Sequence, residues 1–479
     1  MRSISFAFKE LAIHQKHVIG FKKHNKWLYA SQNNMHELIS GAKQILQDRN
    51  IKKGDRVLYK GNNSKEWLAW NLATNSIGAI WVPMYKEQTF SHIKHIQQDC
   101  TPKLFISDNE EHGSISNKIE PSSKDYDITE NDICTLVYTS GTSGAPKGVM
   151  LTNDNIMSNV EAIHRRFIDH KDLYIKTLNI LPWAHIFGLT TELYYNILHN
   201  NCVNIAESKE KFVSNLREIQ PDYIYVVPKV LCVIKKKLDF LEKLPFSNFS
   251  IPKALHYIFG PNIKAIFVGG AKLDSNVAKF YEKYGIKPCE GYGATETSPV
   301  VSVNHFESPR NTDSVGKILD NVKVKIIDKE IYVGGPSIMK GYWNNINATK
   351  KVLIPIENEI YYKTGDGGKL CNENYLYFEG RKSDNYKLSN GKFVDVHALE
   401  SVLKKHISGN FIVYGENMDH NVILTDQKKC ELHTINQNID SYLRIKNVIH
   451  VDTSIFEKHM TPKLSIKRHN LIKEIIQNS

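Results

Sequence analysis

Cysteine is scarce in this chain, and its placement excludes several architectures. The 479 residues hold seven, at Cys100, Cys134, Cys202, Cys232, Cys289, Cys371 and Cys430, an odd and scattered set without a Cys-x-x-Cys pair. Neither a disulfide framework nor a common zinc spacing can be drawn through them, and a reducing compartment fits best. Long apolar runs are missing as well: nothing approaches the roughly 18 uninterrupted apolar residues of a membrane span. Residues 1–24 interleave Lys, Glu and His with apolar positions, so no signal-peptide core forms. Internal repeats and low-complexity tracts are absent. Together these absences predict a soluble, cytoplasmic protein. What is present, 41% hydrophobic and 24% charged residues, is a globular composition with length for two to four domains, which excludes disorder for most of the chain.

Acidic residues are in deficit, 51 against 62 Lys plus Arg, for a net charge of +11. From Asp384 onward 13 basic residues face 11 acidic ones, a difference of only +2, so no basic tail is set apart. No segment interleaves aromatic and basic residues as a nucleic-acid reader would, and nucleic acid is therefore not expected as a partner. The charge suits phosphate-rich small molecules such as nucleotides and coenzyme A, or an anionic membrane.

Hydrophobic periodicity describes an α/β chain. Residues 35–49 and 67–77 repeat apolar positions at helical spacing, residues 54–59 turn into a strand, and residues 107–124 are polar without periodicity, as in an exposed loop. Short β-rich runs recur at 134–138, 223–227, 265–268 and 322–327, separated by helical stretches, as layered sheets require. At 380–387 the sequence GRKSDNYK sets a Gly and alternating charges between a strand-like YLYFEG and a new α/β segment. This predicts a hinge between a large N-terminal domain of layered sheets and helices, residues 1–382, and a small mobile α+β domain, residues 383–479.

The segment YTSGTSGAPKGV, residues 138–149, carries the most chemistry. An apolar strand runs into Thr139, Ser140, Gly141, Thr142, Ser143 and Gly144, then Pro146 and Lys147. Small residues let backbone N–H groups approach a polyphosphate, hydroxyls add donors, and the lysine supplies charge for the β- and γ-phosphates. The G-x-x-x-x-G-K-[ST] spacing is not met, because Gly148 follows Lys147. A flexible Ser/Gly linker is the plainer alternative, but linkers rarely place Pro-Lys-Gly between two apolar runs.

YTSGTSGAPKGV resembles the signature loop of the adenylate-forming superfamily, which includes acyl-CoA synthetases, firefly-type luciferases and peptide-synthetase adenylation domains. Further matches follow in that family's order: LPWAHIFG (181–188), VGGA (268–271), GYGATETSP (291–299), SVGK (314–317), GYWNN (341–345), YKTGDGGKL (362–370) and GRKSDNYKLSNGKFV (380–394). LPWAHIFG, GYGATETSP and the C-terminal TPKLSIKR look most like long-chain fatty acid-CoA ligases. The resemblance implies the adenylate-forming fold and a two-step reaction. A fatty acid carboxylate attacks the α-phosphate of ATP to give acyl-AMP and pyrophosphate, then the thiol of coenzyme A displaces AMP. Positioning and electrostatic stabilisation would carry both steps.

The same resemblance implies roles position by position. Glu296, with Thr142, would hold Mg²⁺, Thr295 would contact phosphate, and Tyr292 and Gly293 would lie at the adenine, because a hard cation takes carboxylate and hydroxyl oxygen. Gly269, Gly270 and Ala271 would wall the adenine pocket, although Gly-Gly by itself marks only a turn. Asp366 and Arg381 would reach the ribose. His185 would stand beside the reacting carboxylate, although a lone His among apolar residues more often serves the core. Ser383 falls at the pivot of the mobile domain, and Lys387 would swing toward the pantetheine tunnel. Lys392 and Val396 replace the Glu and Pro often found beside that loop.

The chain departs from the family near its end. Where a catalytic lysine is expected in a segment like T-P-T-L-K-x-K-R, it has Ser465. Either Lys463 or Lys467 substitutes after a local shift, or adenylation is slowed while thioester formation survives. In a strand both lysines would share the face of Ser465. Three alternatives stay open: a ligase for another carboxylate, transfer to an acyl carrier protein, or an impaired nucleotide-binding homologue. The stretch PKVLCVIKKKLDFLEKL, 228–244, is amphipathic, either a core helix with a solvated lysine face or a point of peripheral membrane contact.

Overall fold

The structure is a computed structural model that describes all residues except 1–2, 12–16, 109–114, 116–125, 140–144, 168–173, 308, 390–391, 438, 462–465 and 477–479. Most of the expected loop at 107–124 thus lies outside the described residues, as do Ser140, Gly141, Thr142, Ser143, Gly144, Lys463 and Ser465. The chain divides into two units. The first comprises Met1–Val324, Val333–Tyr362 and Asn372–Tyr375, and the second Lys325–Tyr332, Lys363–Cys371 and Leu376–Ser479. Residues 325–332, 363–371 and 376–382, all before residue 383, therefore belong with the C-terminal unit.

The first unit contains a six-stranded sheet in the order Gly341–Tyr342, Lys147–Thr152, Ile133–Thr139, Ile80–Met84, Arg56–Lys60, Leu104–Ser107. The last four run parallel, and the strand Lys147–Thr152 is antiparallel to both its neighbours. Beside it the helix Lys65–Ser76 is buried nearly all round, so its sequence, KEWLAWNLATNS, shows no polar face. Ser64 starts that helix by accepting the Trp67 N–H at 3.0 Å. Trp67 meets Trp81 and Trp183 edge-on, ring centroids 5.1 and 5.5 Å apart, in a fully buried aromatic core.

A nine-stranded sheet lies in the same unit. Its parallel centre runs Pro288–Gly293, Ala265–Val268, Tyr223–Val226, Lys176–Asn179, Cys202–Ile205, His17–Lys23, with antiparallel strands at both ends. Strands covered on both faces need no alternation, which is why YIYV and AIFV are buried at every position. The helices Phe212–Ile219, Pro228–Glu242, Ser247–Phe259 and Ser275–Lys283 supply Leu216, Leu231, Leu238, Leu255 and Tyr281 to one core with Ile224 and Ile266 of the sheet.

The second unit has its own core. In the strands Phe411–Tyr414 and Asn421–Thr425, Val413 and Ile423 face the helix Val396–Leu403 through Leu399 and Leu403, whereas Ile412, Val422 and Leu424 pack on Phe456 and Leu471. The two-residue period of a strand thus feeds two apolar clusters.

Candidate active site

The hairpin Ile133–Thr139 with Lys147–Thr152 pairs Thr139 directly with Lys147, so Lys147 stands at the base of the Ser/Gly loop. The strand Gly341–Tyr342 adds to the same hairpin, Tyr342 opposite Val149, and the Trp343 N–H donates to the Gly148 carbonyl at 2.7 Å. That register lays the Tyr342 ring under the ammonium of Lys147, Nζ 4.4 Å from the centroid. The Tyr342 hydroxyl donates to Glu296 Oε1 at 2.8 Å, and the Met339 N–H donates to the Glu296 carbonyl at 2.9 Å. Lys147, Tyr342 and Glu296, far apart in sequence, form one chain of contacts. His95 Nε2 bonds to the Pro146 carbonyl at 2.8 Å, directly before Lys147. GYWNN was visible in the sequence, but nothing there pointed to its tyrosine as the link.

Glu296 lies in the short 3-10 turn Thr295–Thr297 that follows the strand Pro288–Gly293. Thr295 is buried, Tyr292 half-buried and Gly293 exposed. A Cβ at Gly293 would fall 1.7 Å from the Pro299 carbonyl oxygen, so the turn admits no side chain there. Gly269, at the end of the strand Ala265–Val268, is packed by the Phe187 ring, and Gly270 and Ala271 are exposed beyond it. Gly270 has φ +83°, a conformation that glycine adopts without strain. Glu290, nearly buried, accepts the Leu273 N–H at 2.8 Å and so ties the strand before Tyr292 to the end of the Gly-Gly turn. Burial pushes its carboxyl up to about 8.

His185 precedes the π-helical turn Phe187–Tyr194. Its Nδ1 accepts the Phe187 N–H at 3.2 Å, which puts the proton of the neutral ring on Nε2. The segment is clamped from below by polar side chains that the sequence did not single out. Asn63 Oδ1 accepts the Trp183 N–H at 2.9 Å, Asn63 Nδ2 donates to Asn179 Oδ1 at 2.6 Å, and Asn179 Nδ2 donates to Glu192 Oε2 at 2.6 Å. Asn63 and Asn179 both also donate to the Leu181 carbonyl. Glu192 is fully buried, and burial raises its carboxyl well above the usual range. Its other oxygen has no hydrogen-bond partner among the described residues. The one visible signal was an acidic residue in the otherwise apolar and hydroxylic run IFGLTTELYY.

The second unit holds the remaining candidates. Asp366 and Arg381 face each other across an antiparallel pair, with Arg381 Nε 2.9 Å from Asp366 Oδ1 and Arg381 Nη1 donating to the Thr364 carbonyl at 3.2 Å. Asp366 is buried and the arginine side chain is half-exposed. Glu330, also buried, accepts the Gly365 N–H at 3.0 Å and an ion pair from Lys382 at 3.1 Å. Lys387 is exposed in the short strand Tyr386–Lys387, its carbonyl accepting the Asn417 N–H. Lys467 is not within a strand: its N–H donates to the His459 carbonyl at 2.8 Å and the residue directly precedes the helix Arg468–Ile476.

Among the described residues no group of three or more His, Cys, Asp or Glu could hold a metal by itself. A magnesium ion needs no such cage, since it is usually bound through one or two carboxylates and substrate phosphates. Glu296, a carboxylate linked to Lys147 through Tyr342, fits that donor set.

The family model described as AMP-binding enzyme matches residues 25–343. The chain belongs to the AMP-binding enzyme family. The match takes in Lys147, His185, Glu296 and Tyr342 and stops before Asp366. This AMP-binding enzyme is 29% identical over 378 residues to the long-chain-fatty-acid–CoA ligase of Bacillus subtilis, covering 73% of the chain and 63% of that ligase's length. It is 25% identical over 477 residues to long chain acyl-CoA synthetase 4 of Arabidopsis thaliana, covering 79% and 70%. Among solved structures, ATP-bound MatB from Rhodopseudomonas palustris superposes with a TM-score of 0.80 at 20% identity, covering 99% of each chain. The O-succinylbenzoate coenzyme A synthetase of Bacillus subtilis, in complex with ATP and magnesium, does so at 0.78 and 20%, covering 98% and 99%. At such identity these neighbours establish the fold, which is the α/β fold of adenylate-forming enzymes. No helix among the described residues is long and apolar enough to cross a membrane.

Proposed function

We propose that the protein is an AMP-forming acid–thiol ligase that activates a fatty acid and transfers the acyl group to coenzyme A. The observation that carries this reading is the contact chain Lys147–Tyr342–Glu296 at the base of the Ser/Gly loop. A cation and a carboxylate joined through one tyrosine support a polyphosphate with its counter-ion as the ligand. In the first step a carboxylate oxygen bonds to the α-phosphorus and the bridging oxygen leaves with pyrophosphate. In the second, the thiol sulfur bonds to the acyl carbon, AMP leaves, and the thiol proton is released. Lys147 offsets charge on the phosphates, and Glu296 holds Mg²⁺, which neutralises further phosphate charge when bound. His185 presents Nε2–H as a donor to carboxylate oxygen. Asp366 and Arg381 serve the ribose, and Lys387 serves coenzyme A after rotation of the C-terminal region about Ser383. The cation missing at Ser465 is supplied by Lys463 or Lys467. A cytoplasmic setting is supported by seven free cysteines.

The relatives named as long-chain ligases support a fatty acid over other carboxylates. One structural neighbour, McyG A-PCP with phenylalanyl-adenylate, has a carrier module, and it favours a second reading in which an acyl carrier protein takes the place of coenzyme A. The test is ATP–pyrophosphate exchange with Mg²⁺ across fatty acids from short to long chain, beside Ser465→Lys, followed by coenzyme A or a carrier protein. Exchange confined to long chains with thioester formed on coenzyme A is the expected result. Silence in the natural protein with activity in Ser465→Lys would show adenylation disabled at one position, and silence in both would refute the ligase reading.

A further inference from the structure

Fifteen large apolar side chains are exposed among the described residues, and six of them fall between positions 233 and 257. Scattered exposure is ordinary, but concentration in one helical hairpin is not. The hairpin joins the helices Pro228–Glu242 and Ser247–Phe259, and its inner faces, with Leu231, Ile234 and Leu238 on one helix and Ile251, Leu255 and Phe259 on the other, are spent on the core. The outer face of the first carries Val233 and Phe240 at i and i+7, with Leu244 two residues past its end, among the exposed Lys236, Lys237 and Lys243. Phe246, Phe249 and Tyr257 make a second stripe, with Lys253 Nζ 3.9 Å from the Phe249 centroid and the Arg217 guanidinium 3.8 Å from that of Tyr257. Phe246, in the connecting turn, is 77% exposed, and Phe249 and Phe240 are 64% and 63% exposed.

Charge selects the occupant. Residues 228–259 contain six lysines against Asp239 and Glu242, a difference of +4. Both acids are engaged by Lys235, at 2.8 and 3.6 Å. A second copy would bring the same positive field to the contact and be repelled. Phenylalanines protruding from a turn, ringed by long cationic side chains, match the layered chemistry of an anionic bilayer, apolar beneath phosphate. We propose that this hairpin docks the protein reversibly on an anionic lipid surface, Leu244, Phe246 and Phe249 entering the interface while the lysines meet the headgroups.

The full chain is sedimented with phosphatidylcholine vesicles with and without phosphatidylglycerol, at low and physiological salt. Because the readout needs no turnover, it stands or falls apart from the ligase reading. The expected result is binding to the anionic vesicles alone, weakened by salt. Phe240→Ser/Phe246→Ser/Phe249→Ser should lower the partition at least roughly tenfold, and Lys236→Glu/Lys237→Glu/Lys243→Glu should abolish it, with melting temperatures unchanged. The single variant Phe246→Ser gives a smaller loss and serves if the triple variant does not fold. Equal binding to neutral vesicles, undiminished binding by the phenylalanine variants, or a dimer in sedimentation velocity that those variants dissolve would overturn the proposal.

Discussion

Glu290→Gln should stabilise the protein at alkaline pH and change little in mild acid. Glu290 is 5% exposed, and the single hydrogen bond described for its carboxyl is from the Leu273 N–H at 2.8 Å. Desolvation, only partly offset by that bond and by the charge of Lys272, raises the group from 4.5 to about 8. The folded state therefore keeps a proton that the unfolded chain releases near 4.5, and stability is lost as pH rises from there through 8. At roughly 1.4 kcal/mol for each pH unit, the loss across that interval is on the order of 5 kcal/mol. Gln keeps an oxygen for the Leu273 N–H and has no proton to lose, so the penalty should vanish. Thermal melting of both proteins without nucleotide, followed from acid to alkaline pH, should give curves that meet near the acid end and separate by several degrees above pH 8. Parallel curves, or a lower melting temperature for Gln at alkaline pH, would refute the assignment of a neutral carboxyl at this position.

Three other substitutions test the site directly. Lys147→Ala should reduce pyrophosphate exchange roughly 10²-fold without shifting the melting temperature, and an unchanged dependence on ATP would remove the loop assignment. Glu296→Gln should raise the Mg²⁺ concentration needed for half-maximal exchange, whereas a titration superposable on that of the natural protein would contradict its role. Because burial raises the Glu192 carboxyl well above its usual range, Glu192→Gln should cost less than about 1 kcal/mol. Glu192→Ala, which leaves one N–H of the Asn179 amide without its acceptor and opens a cavity, should cost roughly 2–4 kcal/mol by denaturant titration; equal losses in the two variants would argue against a neutral carboxyl.

Local signals were the legible part of this molecule. The helical period at 35–49 corresponds to the helix Gln32–Asp48, which starts three residues earlier because Ser31 and Asn34 cap each other reciprocally. The continuous runs YIYV and AIFV are parallel strands for the reason their composition suggests, burial on both faces. What escaped reading depends on register between distant segments. Tyr342 meets Lys147 and Glu296 because a two-residue strand pairs with Val149 and Met150, and no spacing in the sequence encodes that partnership. The same holds for Asn63, Asn179 and Glu192, unremarkable polar residues until the fold places all three within hydrogen-bond reach under one loop.

The substitution at Ser465 turns on this distinction between pattern and placement. Reading TPKLSIKR as a strand puts Lys463 and Lys467 on the face of Ser465, but Lys467 leads directly into a helix, and Ile466 beside it forms an isolated bridge to Met460. A side chain at the mouth of that helix does not inherit the two-residue alternation of a strand. Both lysines stand two positions from Ser465, so proximity does not separate them; strand alternation fails for Lys467 and stays open for Lys463 alone, which makes Lys463 the first candidate to test. Lys463→Ala should then remove most of the exchange activity of the natural protein and little of that of Ser465→Lys. If Lys467→Ala does so instead, with Lys463→Ala harmless, the local shift runs toward the helix and the assignment is reversed.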